Sequence, residues 1–267
     1  MARRRKKVLG KCRICGKEGK LSFEHVPPQS AFNKKIVIEY TLESWVTKRK
    51  VKGKQQQGGV GAHTLCGQCN NDTGSWYGDE YVKWAKTAND ILSLMERHAE
   101  HFSGQTEIAV TLNNVYPLRF LKQVVTCLFS VISIGSDAEF AQHNPELVEF
   151  VLDKHKTRLS EDYRFYLRLY QSTILRRFPI AGKLTLTYNK DEGGNIIPHT
   201  LKANEPNILS EMAHPPFALV MSHNSSFPDA TNITHFKNFE YDEQVDLVLP
   251  LMIGQGSTPY PGSFQAP

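Results

Sequence analysis

Apolar and polar positions are arranged differently in the two parts of the chain. Across 79–98, apolar or aromatic side chains recur at Tyr81, Val82, Trp84, Ala85, Ala88, Ile91, Leu92 and Met95, the three-and-four spacing of one helical face. That stripe predicts an amphipathic helix packed on the rest of the protein. A short helix from Asn70, broken near Gly74 and Gly78, is expected before it. Trp76, Tyr77 and Trp84 read as core or interface residues. Upstream, Leu21-Ser22-Phe23 reads as a brief strand closed by Pro27-Pro28, and the β-branched run 35–42 as a second strand. The segment 48–61 is polar, basic and glycine-rich, so a loop is expected there. It fits a nucleic-acid contact and a plain solvated connection equally. Beyond His101, a strand is expected at 106–112, an apolar helix interrupted by polar residues at 118–134, and a further helix at 145–159. Strand-like runs follow at 164–170, 183–189, 196–202, 217–221 and 245–253, with a turn at 191–195 joining two of them. The whole reads as α+β.

Composition and charge narrow this picture. With 40% hydrophobic and 22% charged residues over 267 positions, the chain has ordinary material for a core. No apolar run reaches the roughly 18 residues of a membrane span. The stretch behind the basic N-terminus lacks the apolar segment of a secretory signal, so a reducing, cytoplasmic location is expected. Up to Lys54 there are 16 basic against 4 acidic residues, a net +12, and the remainder carries 16 against 23, a net −7. A basic head on a mildly acidic body suits a polyanionic partner, and charge alone fits a basic tail that only keeps the chain in solution equally well. Arg3, Arg4, Arg5, Lys6 and Lys7, with Lys48, Arg49 and Lys50, are the expected phosphate contacts.

The cysteines carry the chemistry. Cys12/Cys15 and Cys66/Cys69 form two Cys-x-x-Cys pairs, with Gly16 and Gly67 beside them. Four thiols so paired are a tetrahedral site for structural Zn²⁺, and in a reducing compartment metal ligation is favoured over disulfides. The fifth, Cys127, sits in the apolar helix and reads as a small buried hydrophobe. Between the pairs lies Glu24-His25, and the second pair runs into Asn70-Asn71. Phosphodiester hydrolysis needs a base to activate water and a divalent ion to stabilise charge on the phosphate. Imidazole is the side chain that titrates near neutrality, while a carboxylate and an amide carbonyl are hard oxygen ligands for Mg²⁺ or Mn²⁺. Neighbouring strand residues point to opposite faces, so Glu24 and His25 converge only if the backbone bends, as the Pro27-Pro28 loop would allow.

Cys-x₂-Cys, then Phe23-Glu24-His25-Val26-Pro27, then Leu65-Cys66-Gly67-Gln68-Cys69-Asn70-Asn71 resembles the zinc-stabilised branch of the HNH (His-Asn-His) endonuclease family. The likeness covers roughly residues 8 to 80. It implies a zinc-braced ββα-metal, treble-clef-like module over 8–104, after a basic arm at 1–7 and before a larger α+β domain at 105–267. It implies His25 as general base, and Glu24 and Asn70 as ligands of a catalytic Mg²⁺ or Mn²⁺, with Asn71 a weaker candidate. The substrate expected is DNA. The family's central asparagine is missing from Gly61-Ala62-His63-Thr64, where His63 or a backbone carbonyl would have to orient the base. A degenerate zinc protein that binds nucleic acid without cutting it is the alternative. The stretch 64–84 also looks like HNH-type proteins of mobile elements and phage-defence loci. The C-terminal part could dock a protein partner, direct the head to its target or restrain it.

Overall fold

Residues 7–39, 54–101, 107–132, 139–170, 182–184, 189–190, 196–197 and 207–253 are described in the computed structural model of the chain. The first elements are β1 (Leu9–Lys11), β2 (Glu18–His25), β3 (Val37–Glu39), β4 (Lys54–Gln56) and β5 (Gly61–Cys66), followed by helix α1 (Gly67–Arg97). Strands β1, β2 and β5 form an antiparallel sheet in that order, and β3 pairs with β4 in a separate ribbon. Part of the expected 48–61 loop is therefore strand, and the expected 35–42 strand is described only at Val37–Glu39.

Helix α1 is a single 31-residue helix with no break at Gly74 or Gly78. A glycine in a helix interior costs about 1 kcal/mol relative to alanine, too little to stop a helix anchored on both sides of it. The anchoring is aromatic. Tyr77, Tyr81 and Trp84 are almost fully buried, and Trp84 stacks on Phe120 with ring centroids 4.1 Å apart. The expected apolar stripe is the packed face.

The rest of the chain supplies β6 (Glu107–Val115), α2 (Pro117–Val131), α3 (Glu139–His143), α4 (Pro145–Leu152), β7 (Tyr163–Leu169), β8 (Gly182–Leu184), β9 (Asn189–Lys190), β10 (Ile196–Ile197), β11 (Asn207–His214), β12 (Phe217–His223), β13 (Thr231–Asn232) and β14 (Val245–Ile253). Seven strands make one sheet, ordered β6-β14-β7-β12-β11-β8 with β13 against β7. Only β14 and β7 run parallel among its described pairings. The helix expected over 145–159 stops at Leu152, where Asp153 takes extended backbone. Strand β11 had no counterpart in the sequence reading, because Ser210 and Glu211 interrupt its apolar residues although both are buried.

Helix α2 is buried at nearly every position. It lies between α1 and the large sheet, where the Ser210 hydroxyl donates to the Leu128 carbonyl at 3.1 Å. One hydrophobic core consequently runs from Cys12 and Ile14 through Trp84 and Phe120 to Leu251. The phenols of Tyr77 and Tyr241 tie the two sides of residue 104 together, donating to the Val151 and Trp76 carbonyls. Among the described residues no helix is long and apolar enough to cross a membrane.

Candidate metal centre and adjoining cavity

The two cysteine pairs meet. Cys12 and Cys15 lie on the tight turn between β1 and β2, where the Gly16 N–H donates to the Cys12 carbonyl at 2.9 Å and Gly16 takes φ 69°. That left-handed turn is open to glycine at no steric cost. Cys66 ends β5 as the N-cap of α1, and its sulfur accepts from the Cys69 N–H at 3.5 Å. A helix N-terminus favours thiolate over thiol. The Arg13 N–H donates to the Thr64 carbonyl at 2.9 Å, which holds the first turn against β5.

The four sulfurs of Cys12, Cys15, Cys66 and Cys69 all lie within 4.8 Å of one another. Cys15 and Cys66 are 3.9 Å apart, and zinc–sulfur bonds of about 2.3 Å give a tetrahedron with edges of about 3.8 Å. No pair among these cysteines is a disulfide. The hydrogen bond between Cys69 and Cys12 drives the Cys12 thiol down and Cys69 up, as when two sulfurs share one proton. This set fits a structural metal such as Zn²⁺.

Next to it, β2 delivers Glu24 and His25. Between Ser22 and Phe23 the register against β5 slips, so that Ser22 faces Leu65 but Phe23 faces His63, leaving Thr64 as the extra residue of a bulge. Burial slips with it. Leu21 and Glu24 are buried while Phe23 is exposed, where strict alternation would have turned Phe23 inward and Glu24 out. The bend expected of the Pro27-Pro28 loop is thus made earlier, by the bulge. At the end of the pairing, Gly61 sits so close that a Cβ on it would lie 2.2 Å from the Glu24 carbonyl oxygen.

Glu24, His25 and Asn70 line one cavity of 290 Å³, walled by the loop after β2, by α1 and by α2. Glu24 is 6% exposed, and its Oε1 accepts no hydrogen bond among the described residues. Burial pushes its carboxyl up to about 8, against the pull of the Ser130 hydroxyl and the Arg13 guanidinium. The His25 ring meets Phe23 edge-on at 5.1 Å, with the exposed Gln29 amide 3.4 Å from its Nε2. The Asn70 amide donates to Ser22 Oγ at 3.1 Å, and that hydroxyl donates to the Leu65 carbonyl. With its nitrogen so used, Asn70 keeps Oδ1 for a ligand. An unpartnered buried carboxylate oxygen and an amide oxygen in one cavity fit a hard divalent cation.

His63 is exposed, meets Phe23 edge-on at 5.3 Å and does not line the cavity. Asn71 does not line it either. The side chain that fixes the loop is Asn33, which the sequence reading passed over. It is buried, donates to the Pro27 and Val60 carbonyls at 2.7 Å each, and accepts from the Val60 N–H at 2.6 Å. Pro27 follows His25 by two residues and Val60 precedes Gly61, the register partner of His25. Asn33 therefore clamps both backbone segments that flank His25. Gly59, at φ 101°, makes room for it, since a Cβ there would fall 2.1 Å from the Asn33 carbonyl oxygen. Asn33→Ala is expected to cost roughly 2–4 kcal/mol in chemical denaturation, because the Pro27 carbonyl and the Val60 N–H lose their partner and the Val60 carbonyl keeps only the Val26 N–H. Asn33→Asp, which cannot donate, should not rescue it.

Arg3, Arg4, Arg5, Lys6, Lys48, Arg49 and Lys50 lie outside the described residues, and Lys7 is exposed. Cys127 is buried as expected, lines the cavity, and has its thiol pushed up to about 12 by burial. His98, Glu100 and His101 also lie close together, but all three are exposed and none lines the cavity. No family model, curated protein or solved structure matches the chain.

Glu24 makes the metal-free protein sensitive to pH. Its carboxyl moves from an ordinary 4.5 to about 8 on folding, so the neutral form's stabilisation is complete below the unfolded value and is lost as pH rises through about 8. Glu24→Gln should therefore melt higher than the native chain near pH 9, by an amount of order a few kcal/mol, and alike near pH 4. A divalent ion must displace that proton, so Mn²⁺ affinity should rise about tenfold per pH unit up to about pH 8.

Proposed function

We propose that this protein is a metal-dependent endonuclease of the HNH type that hydrolyses phosphodiester bonds in DNA. The observation that carries this reading is the meeting of Glu24, His25 and Asn70 in one cavity beside the four-sulfur cluster. The succession β2, β5, α1 has the strand-strand-helix order of a ββα-metal core, with the cysteines as its zinc brace. His25 removes a proton from water as the hydroxide attacks phosphorus. Glu24 and Asn70 would hold a Mg²⁺ or Mn²⁺ ion, which would supply stabilisation of charge on the phosphate and the departing oxygen. Asn33 supplies the positioning that the missing central asparagine would give, by fixing the backbone on both sides of His25.

The net +12 of the first 54 residues supports a polyanionic substrate, and binding should weaken steeply with salt. The test is conversion of supercoiled plasmid to nicked or linear DNA with Mg²⁺ or Mn²⁺, alongside RNA and single-stranded DNA. Cutting of DNA that requires the ion supports the proposal. Salt-sensitive binding without cutting in either ion would replace it with the non-catalytic alternative.

A further inference from the structure

The cavity has a wall that the nuclease motif does not account for. On α2, Gln123, Thr126, Cys127 and Ser130 all line it, at the three-and-four spacing of a single helical face. Three of these four are polar, in a helix buried nearly all round. Each makes a hydrogen bond to its own helix. The Thr126 hydroxyl donates to the Lys122 carbonyl at 2.8 Å, the Ser130 hydroxyl to the Thr126 carbonyl at 3.1 Å, and the Gln123 amide to the Cys127 sulfur at 3.6 Å. Gln123 is 5% exposed, and its Oε1 accepts no hydrogen bond among the described residues, a state that is ordinarily unfavourable.

Opposite, α1 turns a row of four-residue spacing toward the same space: Asn70, Gly74, Gly78 and Val82. Gly78 is buried, yet a methyl group built on it would meet no atom within 4 Å. The glycines keep the space open along the helix. No lysine or arginine lines it, whereas Glu24 and Asp79 do. Two carboxylates with no lysine or arginine along the wall suit a hydrated divalent cation, whose bound waters are all donors. Two oxygens without a hydrogen-bond partner among the described residues, Glu24 Oε1 and Gln123 Oε1, belong to residues from different parts of the chain that line this one space.

We infer that α2 completes the ion site: Gln123 Oε1 is an oxygen ligand, direct or through a bound water, of the divalent cation held by Glu24 and Asn70. The inference rests on the ion site of the proposed function and extends it past the head. It makes the C-terminal body part of the catalytic centre, with Gln123 a positioning residue for the ion. It also explains why Gly74 and Gly78 stand in the middle of an uninterrupted helix.

The test measures Mn²⁺ binding to the full chain by loss of the free-ion electron paramagnetic resonance signal, with zinc content and melting temperature recorded for each variant. Gln123→Leu should retain one zinc per chain, melt no lower than the native protein without Mn²⁺, and bind Mn²⁺ about 10–100-fold more weakly, the usual loss for a partner of a metal's inner ligands. Gln123→Glu keeps the oxygen and should bind at least as tightly as the native chain. Gly78→Leu, which fills the open space, should fold and lose Mn²⁺ binding. Native affinity in Gln123→Leu overturns the inference, whatever that variant does to DNA. Weakened Mn²⁺ binding in a protein that never cuts DNA would leave the ion site standing and reject the nuclease reading. A native chain that takes up no Mn²⁺ rejects both.

Discussion

Replacing His25 with alanine is expected to slow plasmid cleavage about 10²–10⁴-fold, the range for loss of a positioned general base, with zinc content and melting temperature close to native. The structure separates these two outcomes. The His25 ring is only half-buried, and its contacts are an edge-on meeting with Phe23 and the exposed Gln29 amide. Little folding energy depends on it. Its placement depends on others: the bulge at Thr64, the close approach at Gly61, and the Asn33 clamp. His63→Ala is the matched control, because that ring is exposed on the outer side of Phe23 and does not line the cavity. It should cut DNA nearly as well as the native chain. If the two variants behave alike, His25 is not the base.

Removal of the structural metal should have the second large effect, on folding rather than chemistry. Structural zinc contributes an apparent 10 kcal/mol or so at neutral pH, comparable to the roughly 5–15 kcal/mol that a whole domain has in hand. Cys12 and Cys69 are buried, and the four sulfurs bring the turn of the first pair together with the junction of β5 and α1. Strong chelation or Cys69→Ser should therefore unfold this region. Since α1 shares its core with α2 through Tyr81, Trp84 and Phe120, the large sheet should lose stability with it, and calorimetry should show both changes in one transition. Cys127→Ala should keep its zinc and lose only about 1–2 kcal/mol, the cost of a small cavity. Two separate transitions, the later one unmoved by chelation, would mean that the shared core does not couple the parts.

The sequence made some of this legible and concealed the rest, for identifiable reasons. The cysteine pairs stood out because a tetrahedral metal constrains residue type and spacing together, and the four sulfurs do gather. The apolar stripe of α1 stood out because burial of one face leaves a 3.6-residue period. The inward turn of Glu24 was hidden, since it comes from a register slip against a strand almost forty residues away. Asn33 was hidden for a similar reason. A buried asparagine in a loop differs from a solvated one only in partners, here Pro27 and Val60, that the fold supplies. Gly74 and Gly78 were read as helix breakers when they are the floor of a cavity. In α2 the polar residues Gln123, Thr126 and Ser130 did leave a trace. Their spacing on a helix whose other residues, Arg119 and Lys122 apart, are apolar is a signal for a polar cavity, legible once burial of nearly the entire helix is known.

The central claim is geometric: one cluster of sulfurs braces a second site where oxygens hold a hydrolytic ion. Anomalous diffraction from crystals soaked in Mn²⁺, recorded at the zinc and manganese edges, addresses it directly. The account predicts a zinc peak equidistant from the sulfurs of Cys12, Cys15, Cys66 and Cys69, and a separate manganese peak between Glu24 and Asn70 on the side facing Gln123. A zinc peak accompanied by no manganese in the cavity, or manganese bound only at exposed residues such as His98 and His101, would contradict it.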